Sequence, residues 1–316
     1  MSLPRPSVPP AVQHGGDGAR LAAALGLPPG AVLDLSASLN PVAPDPRPVL
    51  ASHLDAVVRY PDPGPARRAL AAGMGVDDGE LLLTNGGAEA IALLAAELGP
   101  GWTDEPEFSL YRRHLPGIDA AGPRWRSNPH NPSGLLAAED ERADVWDEAF
   151  WPLATGTWTR GDAGRGAAIV GSLTKLLACP GLRAGYLYSR DTDLIARVAH
   201  RQPRWAVNGL ACAALAELLD AVDLPAWAAE VGRLRHELIA VLARHGLPVR
   251  PSDANWVLVD CADLRTRLAP HGILVRDCAS FGLPGVMRVA VPADEGRARL
   301  EAALADLPRL ARRLAP

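Results

Sequence analysis

The residue best suited to covalent chemistry in this sequence is its single lysine. Lys175 is the one lysine among 32 lysine and arginine residues in a chain of 316 residues. Arginine carries charge, pairs with carboxylates and binds phosphate, but it cannot lose its proton and attack a carbonyl group. A side chain that must become a neutral nucleophile and form an imine is therefore lysine. The composition predicts imine chemistry at Lys175; the alternative is a surface lysine that survived by chance under an arginine-rich codon bias.

The sequence around Lys175 favours the catalytic interpretation. A lysine that survived by chance is expected in a polar, exposed segment. Lys175 instead follows the apolar, strand-like residues 167–171 and precedes the largely apolar residues 176–182.

The segment from Ser172 to Tyr186 resembles the fold-type I pyridoxal-phosphate (PLP) enzymes of the class I/II aminotransferase family. It combines Ser-x-x-Lys with Pro-Gly-Leu-Arg-x-Gly-Tyr, and Arg183 follows the lysine by eight residues. Within the family it is similar to the branch that holds histidinol-phosphate aminotransferase and the cobalamin-pathway threonine-phosphate decarboxylase. The resemblance implies that Lys175 binds the cofactor covalently. It also implies that Ser172, Thr174 and Arg183 contact the cofactor phosphate, a dianion that hydroxyl donors and a guanidinium fork suit.

A second phosphate contact is predicted upstream. Residues 80–98 are typical of a strand, a glycine turn and a helix. The free N–H groups in the first turn of a helix point at an anion, and the helix dipole favours it. The backbone amides of Gly87 and Ala88 are therefore predicted to bind phosphate. A glycine pair in this position is often only a turn, but its place before Lys175 in a PLP-like chain favours the binding role.

Three further motifs are similar to those that hold the cofactor ring in the family. In Pro-x-(Phe/Tyr)-x-x-Tyr the resemblance assigns Phe108 to stacking on the ring; alternatively, Phe108 and Tyr111 both face a core. In the rigid Asn-Pro-His-Asn-Pro-Ser-Gly turn it assigns Asn131 to the phenolate oxygen. In Val-Trp-Asp-Glu-Ala-Phe it assigns Asp147 to the ring nitrogen, which it keeps protonated; the alternative is a solvated carboxylate at a strand end. Phe150 stands where many aminotransferases have tyrosine, so one hydrogen bond to the phenolate oxygen is absent.

Four residues are predicted near the substrate. The segments His14-Gly-Gly and Asp-Leu-Ser-x-x-x-Asn40-Pro are similar to the opening of the cobalamin-branch enzymes, which lies over the active site and helps to hold the substrate phosphate. A lone histidine beside glycines is otherwise solvated. Arg288 lies inside an apolar strand, where an unpaired guanidinium is costly, and the resemblance supplies the substrate carboxylate as its anion. Arg276 is a weaker candidate for the substrate phosphate, and structural salt bridges are the alternative for both arginines.

The elements that must position these residues indicate an α/β protein of fold type I. We predict an N-terminal arm (1–30) that is part of the small domain and covers the active site, a large PLP-binding domain (31–205) and a small C-terminal α/β domain (206–316). The large domain is expected to contain a mixed, mostly parallel sheet. Its segments before Asn131 and before Asp147 are shorter than those of the family, so the edge of the sheet is either reduced or covered by a dimer partner.

Composition and termini restrict the partners. A net charge of -4 and a pI near 6.1 give no reason to expect nucleic acid or an anionic membrane. The four cysteines form no CxxC pair and have no histidine at ligand spacing, which favours reduced thiols over zinc or disulfides. No apolar signal region or membrane-spanning run occurs. We predict a cytoplasmic protein without a metal site.

In the resembling enzymes a Tyr-Pro such as Tyr60-Pro reaches the partner's cofactor phosphate. The resemblance therefore implies a homodimer with shared active sites; the alternative is that Tyr60-Pro is an ordinary turn.

The sequence therefore predicts a PLP-dependent enzyme that acts on a small phosphorylated amino acid. The first choice is decarboxylation of L-threonine O-3-phosphate to aminopropanol phosphate for cobalamin biosynthesis. The alternative is an aminotransferase acting on histidinol phosphate or a related substrate, which His14, Phe150 and the Arg276-Asp-Cys segment disfavour. A third possibility, a catalytically inactive binding protein of the same fold, is disfavoured by the intact polar site residues. No motif distinguishes the two reactions, because the outcome depends on which substrate bond stands perpendicular to the cofactor ring.

Overall fold

The computed structural model describes residues 8–28 and 30–307, which divide into two compact units. The large unit comprises residues 42–131 and 135–229. The small unit comprises the described residues before 42 and after 229, together with residues 132–134. The first seven residues of the predicted arm lie outside the described part of the chain.

The division between the units differs from the predicted domain boundaries. The sequence places boundaries after residues 30 and 205, whereas the units change after residues 41 and 229. Residues 31–41 join the small unit because Leu33 and Asp34 pair in parallel with Ile273 and Leu274. The assignment of the three domains stays a prediction.

Helices and strands follow one another along the chain. The α-helices of the described residues are α1 (Gly18–Leu25), α2 (Arg47–Ser52), α3 (Gly64–Met74), α4 (Gly87–Leu98), α5 (Leu110–His114), α6 (Trp151–Thr155), α7 (Leu173–Leu176), α8 (Thr192–Arg201), α9 (Gly209–Asp220), α10 (Leu224–Arg244), α11 (Leu264–Leu268) and α12 (Asp294–Asp306). The strands are β1 (Leu33–Asp34), β2 (Leu81–Thr84), β3 (Trp125–Ser127), β4 (Val145–Asp147), β5 (Ala168–Ser172), β6 (Gly185–Tyr188), β7 (Trp256–Asp260), β8 (Ile273–Leu274), β9 (Arg276–Asp277) and β10 (Val286–Ala290). Within residues 8–28 and 30–307, none of these helices has the length and apolar character needed to cross a membrane.

A five-stranded sheet in the order β2-β6-β5-β4-β3 organises the large unit. β6 is antiparallel to both of its neighbours and the other pairs are parallel, so four strands run in one direction. β5 is buried from residue 168 to 171, as expected for a strand covered on both faces. The parallel strands end at Thr84, Ser127, Asp147 and Ser172, and the carboxyl ends of such strands are the usual place for a ligand site.

Alternate residues of these strands pack into two separate hydrophobic clusters. Trp146 and Ile169 belong to one cluster, and Val145 and Val170 belong to the other. Since neighbouring residues of a strand point to opposite faces, each cluster covers one face of the sheet. α3 and α9 contribute to the first cluster, and α4 and α8 contribute to the second. Helices on both faces therefore hold β4 and β5 in place, and burial of a side chain as large as Trp146 contributes about 2 kcal/mol.

Beyond β3 the sheet has a reduced edge. Gly101 forms a single bridge with Ile118, and Trp102 forms one with Arg124. No strand lies between α4 and β3, a stretch that the structure describes completely. Ile118 is 59% exposed. The short segments before Asn131 and Asp147 predict that this edge of the sheet is either reduced or covered by a dimer partner. Isolated bridges in place of a full strand agree with a reduced edge.

Two small sheets form the small unit. β1 pairs with β8 in parallel, and β7, β10 and β9 form an antiparallel sheet in that order. In the register of this sheet Arg288 of β10 lies opposite Leu258 on one side and opposite Arg276 on the other. The two arginines that are predicted to bind substrate are therefore cross-strand neighbours.

Candidate active site

A glycine-lined cradle brings three of the predicted phosphate contacts together. A β-carbon on Gly86 would collide with the guanidinium group of Arg183, and one on Gly185 would collide with the backbone of Gly86 and Gly87. One on Gly87 would lie 3.6 Å from the β-carbon of Ser172. Gly86 and Gly185 are thus needed because backbone and side chains approach closely here. The structure places Gly87, Ser172 and Arg183 near one another, and together they offer amide, hydroxyl and guanidinium groups, which are donors that suit an anion.

The first turn of α4 supplies the backbone donors of this cradle. α4 begins at Gly87, and Gly86 before it has a φ of 77°, a conformation that favours glycine. The amides of Gly87 and Ala88 lie in the first helical turn, where an N–H group has no helical acceptor. The positive end of the helix dipole adds to their attraction for an anion. Ala88 therefore lies in the first turn of α4, and its contact with phosphate stays a prediction.

The backbone of Arg183 is strained and anchored. Its φ of 55° is unusual for a residue with a β-carbon and costs about 1 kcal/mol. The carbonyl group of Leu182 accepts a hydrogen bond of 2.7 Å from the Asn208 side chain. Asn208 also accepts a bond of 2.8 Å from the N–H group of Ala211 and so caps α9. The structure therefore maintains a costly conformation that directs the guanidinium group towards Gly86, as is typical of functional sites.

Lys175 lies in the short helix α7 and is half-buried between the buried residues Thr174 and Leu176. Its Nζ atom is 5.9 Å from the centre of the Phe150 ring. The setting is not the exposed, polar one that a chance surface lysine predicts. The N–H group and the hydroxyl of Thr174 both donate to the carbonyl of Ala184, at 3.1 and 3.3 Å. The hydroxyl thus ties α7 to the start of β6, and its predicted contact with phosphate stays a prediction.

Asp147 is a buried carboxylate at the end of β4. Its Oδ2 atom accepts a hydrogen bond of 2.8 Å from the Tyr111 hydroxyl, and its Oδ1 atom accepts one of 3.0 Å from the N–H group of Ala149. Burial raises the pKa of Asp147, and these two hydrogen bonds act against that rise. Burial and the nearby Asp147 raise the pKa of Tyr111, so the phenol stays a donor. This is not the solvated strand-end carboxylate that the sequence allows as an alternative.

Asn131 and Phe108 are connected to the same strand ends. β3 pairs with β4 so that Ser127 lies opposite Asp147. The N–H group of the buried Asn131 donates to the Ser127 hydroxyl at 2.8 Å. Phe108 is partly buried and meets the Tyr111 ring edge-on, with 5.8 Å between the ring centres. The large unit therefore brings the predicted ring contacts into one network of adjacent residues.

Sequence reasoning missed three members of this network. Tyr111 was considered only as a core residue, and it is both buried in the core and bonded to Asp147. Glu107 and Ser127 received no role. In the sequence Glu107 follows Asp104 and Glu105, so nothing distinguished it from a solvent-exposed acidic residue. Its partner Ser127 lies twenty residues away, so the contact could not be read from spacing.

The predicted substrate arginines are both buried in the small unit. Arg276 donates to the carbonyl groups of Gln13 and His14, at 2.8 and 3.2 Å, and its guanidinium group lies 4.4 Å from the centre of the Phe281 ring. Burial lowers the pKa of Arg276 to about 10. Its partners are carbonyl groups and an aromatic ring, so the alternative of a structural salt bridge does not describe it.

Arg288 has a similar environment. Its guanidinium group lies 5.0 Å from the centre of the Trp256 ring, and one nitrogen is 3.4 Å from the carbonyl oxygen of Ser36. Burial lowers the pKa of Arg288, and the nearby charge of Arg276 lowers it further. A cation in this setting gains from any anion that reaches it.

The remaining predicted residues differ in exposure. Asn40 is buried and His14 is exposed, and both belong to the small unit. Tyr60 belongs to the large unit and is 79% exposed. Its ring stacks on Trp205 with 4.5 Å between the centres, beside a cavity of about 670 Å³. A role for Tyr60 in a second subunit stays a prediction. Among the described residues no group of His, Cys, Asp or Glu is arranged to hold a metal ion.

Known proteins resemble this chain along nearly its whole length. The threonine-phosphate decarboxylase of Salmonella typhimurium is 31% identical, over 93% of this chain and 96% of the relative. The histidinol-phosphate aminotransferase of Symbiobacterium thermophilum is 32% identical, over 86% of this chain and 90% of the relative. The first alignment spans 356 positions, more than the 316 residues of this chain, so the relative contains residues that this chain lacks.

The fold comparison and the family profile agree with these similarities. The structure of histidinol-phosphate aminotransferase from Sinorhizobium meliloti, solved in complex with pyridoxal-5'-phosphate, superposes with a TM-score of 0.78 at 17% identity and covers 94% of each chain. It confirms the predicted α/β fold of fold type I. A profile described as aminotransferase class I and II matches residues 125–307. The chain therefore belongs to the aminotransferase class I and II family.

Proposed function

We propose that this protein decarboxylates L-threonine O-3-phosphate to aminopropanol phosphate in cobalamin biosynthesis. The observation that carries the proposal is the 31% identity to a threonine-phosphate decarboxylase across nearly the full length of both chains. The His14-Gly-Gly opening and Phe150 in place of tyrosine support the same branch. The intact set of Lys175, Asp147 and Arg183 supports an active enzyme over an inactive binding protein.

Pyridoxal 5'-phosphate is the cofactor of this enzyme, and the described residues fit it. Only glycine at position 86 lets the Arg183 guanidinium approach the backbone at the start of α4, so a cationic group and the first-turn amides of that helix lie close together, as a phosphate site requires. When bound, PLP supplies an electron sink that lets the substrate α-carbon lose a substituent. We assign the phosphate to Arg183, Ser172 and the amides of Gly87 and Ala88.

Asp147 is suited to hold a proton on the ring nitrogen. A carboxylate that stays ionised beside that nitrogen favours its protonated form. Burial opposes ionisation of Asp147, whereas the bonds from Tyr111 and Ala149 favour it. Lys175 binds the cofactor and is the proposed donor of the proton that replaces the lost carboxyl group. Phe108 and Asn131 are proposed to hold the ring face and the phenolate oxygen.

The substrate contacts are proposed for the small unit. Arg288 is assigned to the substrate carboxylate, which a guanidinium fork binds with two parallel hydrogen bonds. Arg276, His14 and Asn40 are assigned to the substrate phosphate. Two N–H groups of Arg276 already donate to the carbonyls of Gln13 and His14, so a direct contact with the phosphate would use its remaining N–H groups.

The decisive experiment identifies the product. Purified protein is expected to absorb visible light, at wavelengths longer than those of the protein band. Treatment with borohydride should attach the cofactor to Lys175 permanently and add its mass to that residue. Incubation with threonine phosphate should release CO2 and form aminopropanol phosphate. The variant K175R keeps the positive charge without the nucleophile, so it should lose both the visible band and CO2 release. Failure of the wild-type protein to release CO2 from threonine phosphate would contradict the proposal.

The second candidate is an aminotransferase that acts on histidinol phosphate. It is favoured by the 32% identity to a histidinol-phosphate aminotransferase over 86% of this chain. The same incubation, repeated with histidinol phosphate and a keto-acid acceptor, distinguishes the reactions because transamination forms a carbonyl product and no CO2. A visible band without either product would favour a binding protein that retains PLP.

We also propose a cytoplasmic homodimer that shares its active sites. The support is an exposed apolar surface on the large unit, in which Tyr60 and Trp205 are 79% and 58% exposed and Val58 is 83% exposed. Exposed apolar groups of this size are typical of interaction sites. Light scattering of the purified protein should give twice the chain mass of 33.3 kDa. A monomer that is fully active would contradict this proposal.

A further inference from the structure

Glu107 is a buried carboxylate that has no assigned role. It occupies the variable position of the Pro-x-(Phe/Tyr)-x-x-Tyr motif and is 3% exposed. Its Oε1 atom accepts hydrogen bonds from the N–H group of Ser127 at 2.9 Å and from the Arg126 guanidinium group at 3.1 Å. Its Oε2 atom accepts bonds from the Ser127 hydroxyl and from the N–H group of Phe108 at 3.1 Å. A carboxylate has about four lone-pair positions, so donors fill all of them.

These donors are adjacent to the predicted ring contacts. Phe108, which is predicted to stack on the cofactor ring, is held directly through its backbone N–H group. The Ser127 hydroxyl donates to Glu107 and accepts the N–H bond of Asn131, so it links the two. Ser127 also lies opposite Asp147 in the register of β3 and β4. One carboxylate therefore connects the segments that carry three of the predicted ring contacts.

We propose that Glu107 is a positioning residue for the cofactor ring, which fixes Phe108 directly and Asn131 through Ser127. The inference rests on the proposed function, because it concerns the PLP site of the large unit. Glu107 does not touch the ring in this proposal; it sets the positions of the groups that do. Four bonds to one fixed carboxylate provide the rigidity that such a supporting group needs.

All four hydrogen bonds that Glu107 accepts favour its ionised form, and they act against burial, which raises the pKa of Glu107 to about 7. Glutamine has nearly the same shape, but one of its two ends is an NH2 group. In one orientation this group faces the N–H groups of Ser127 and Arg126. In the other it faces the Ser127 hydroxyl and the N–H group of Phe108, and the hydroxyl already accepts the bond from Asn131. Either orientation sets donor against donor, so E107Q should release Phe108, Ser127 or both.

The test measures the bound cofactor rather than turnover. We expect E107Q to weaken PLP binding about 10-fold, the effect of one lost charge-assisted hydrogen bond. It should also reduce the visible circular dichroism of the bound cofactor, which reports a fixed ring in an asymmetric site. S127A should change both quantities in the same direction, because it removes the link between Glu107 and Asn131. If E107Q does not fold, S127A still tests the proposal.

E141Q is the matched control. Glu141 binds the same Arg126 at 2.8 Å and also contacts Arg124, but it supplies none of the bonds to Phe108 or Ser127. PLP affinity and visible circular dichroism of E141Q should equal those of the wild-type protein. Wild-type values in both E107Q and S127A would overturn the inference, as would an equal loss in E141Q. A wild-type protein that binds no PLP would instead overturn the proposed function, and this inference with it.

Discussion

The two units bury ionisable side chains of opposite kinds. Among the described residues, the large unit buries the carboxylates Glu107, Asp147, Glu148 and Asp162. The small unit buries the guanidinium groups of Arg265, Arg276 and Arg288, and its buried carboxylate Asp17 pairs with Arg265 at 2.7 Å. The signs match the proposed ligands, since the cofactor ring presents a protonated nitrogen and the substrate presents a carboxylate and a phosphate. Each unit is therefore suited to a different part of the chemistry.

The buried charges also differ in how they are satisfied. Glu107 and Asp147 accept hydrogen bonds from backbone amides and hydroxyl groups of their own unit, and Glu107 also accepts one from the Arg126 guanidinium group. Arg276 and Arg288 contact carbonyl oxygens and aromatic rings, and they face each other across β9 and β10. Two like charges in a buried sheet are costly, and an anion relieves that cost. The large unit therefore fixes its buried carboxylates with donors of its own, whereas the small unit places two buried guanidinium groups side by side.

Replacement of Arg288 tests the cationic side and should have the largest effect. In R288M the substrate carboxylate loses its proposed partner, so kcat/KM for threonine phosphate should fall about 1000-fold. Steady-state kinetics with threonine phosphate measure the effect. The control is R250M, since Arg250 is partly exposed and pairs with Asp260 on the surface; unchanged kinetics in R288M would refute the assignment.

Replacement of Glu148 tests the anionic side through its pH dependence. Burial raises the pKa of Glu148 from 4.5 to about 7. The folded protein therefore binds this proton more tightly than the unfolded chain does, and the free energy of unfolding falls as the pH rises from 4.5 to 7. E148Q removes the titrating group. The stability of the wild-type protein relative to E148Q should fall by about 3 kcal/mol across this window and stay constant outside it. Urea unfolding of both proteins at several pH values measures this change in relative stability. A difference in the free energy of unfolding that stays constant from pH 4.5 to 7 would show that Glu148 does not titrate in that range.

The sequence predicted the residues whose roles are encoded locally. Lys175, Ser172 and Arg183 lie within one segment whose spacing carries the family resemblance, and the turn at Gly87 directly precedes a helix. Their positions could therefore be read from the sequence, while their roles in binding stay predictions. Gly87 and Ser172 are distant in the sequence and come close because β6 pairs with β2 on one side and with β5 on the other. The motifs identified the residues, and the sheet brings them together.

Contacts that depend on strand register or on distant segments were not predicted. The bond from Ser127 to Glu107 joins residues twenty positions apart, and the bond from Arg276 to Gln13 joins residues 263 positions apart. The reduced edge of the sheet was also predicted only in part. The short segments could be read from the sequence, whereas the single bridges at Gly101 and Trp102 could not. The periodicity of a sequence predicts a helix or a strand, but tertiary packing decides which other segments that helix or strand contacts.

Y111F tests how the large unit controls Asp147. A donor to the ionised form lowers the pKa of a carboxyl group, so loss of the Tyr111 hydroxyl should raise the pKa of Asp147 further. The acid limb of the pH profile of kcat/KM should therefore move to higher pH, and activity at neutral pH should fall about 10-fold. The control is Y188F, because Tyr188 is buried in the cluster on the opposite face of the sheet. A profile of Y111F that coincides with that of the wild type would show that Tyr111 serves only packing.

The two hydroxyl groups beside Lys175 allow the finest comparison within the cofactor region. Thr174 already donates to the carbonyl of Ala184, whereas Ser172 lies beside Gly87 at the cradle. We therefore expect S172A to weaken PLP binding about 10-fold through loss of a phosphate donor, and T174V to weaken it by no more than about 3-fold. Titration of the visible band gives both dissociation constants. An effect of T174V equal to that of S172A would mean that the Thr174 hydroxyl donates to Ala184 in the free protein and to the phosphate when the cofactor binds. The phosphate site would then be fully formed only in the presence of its ligand.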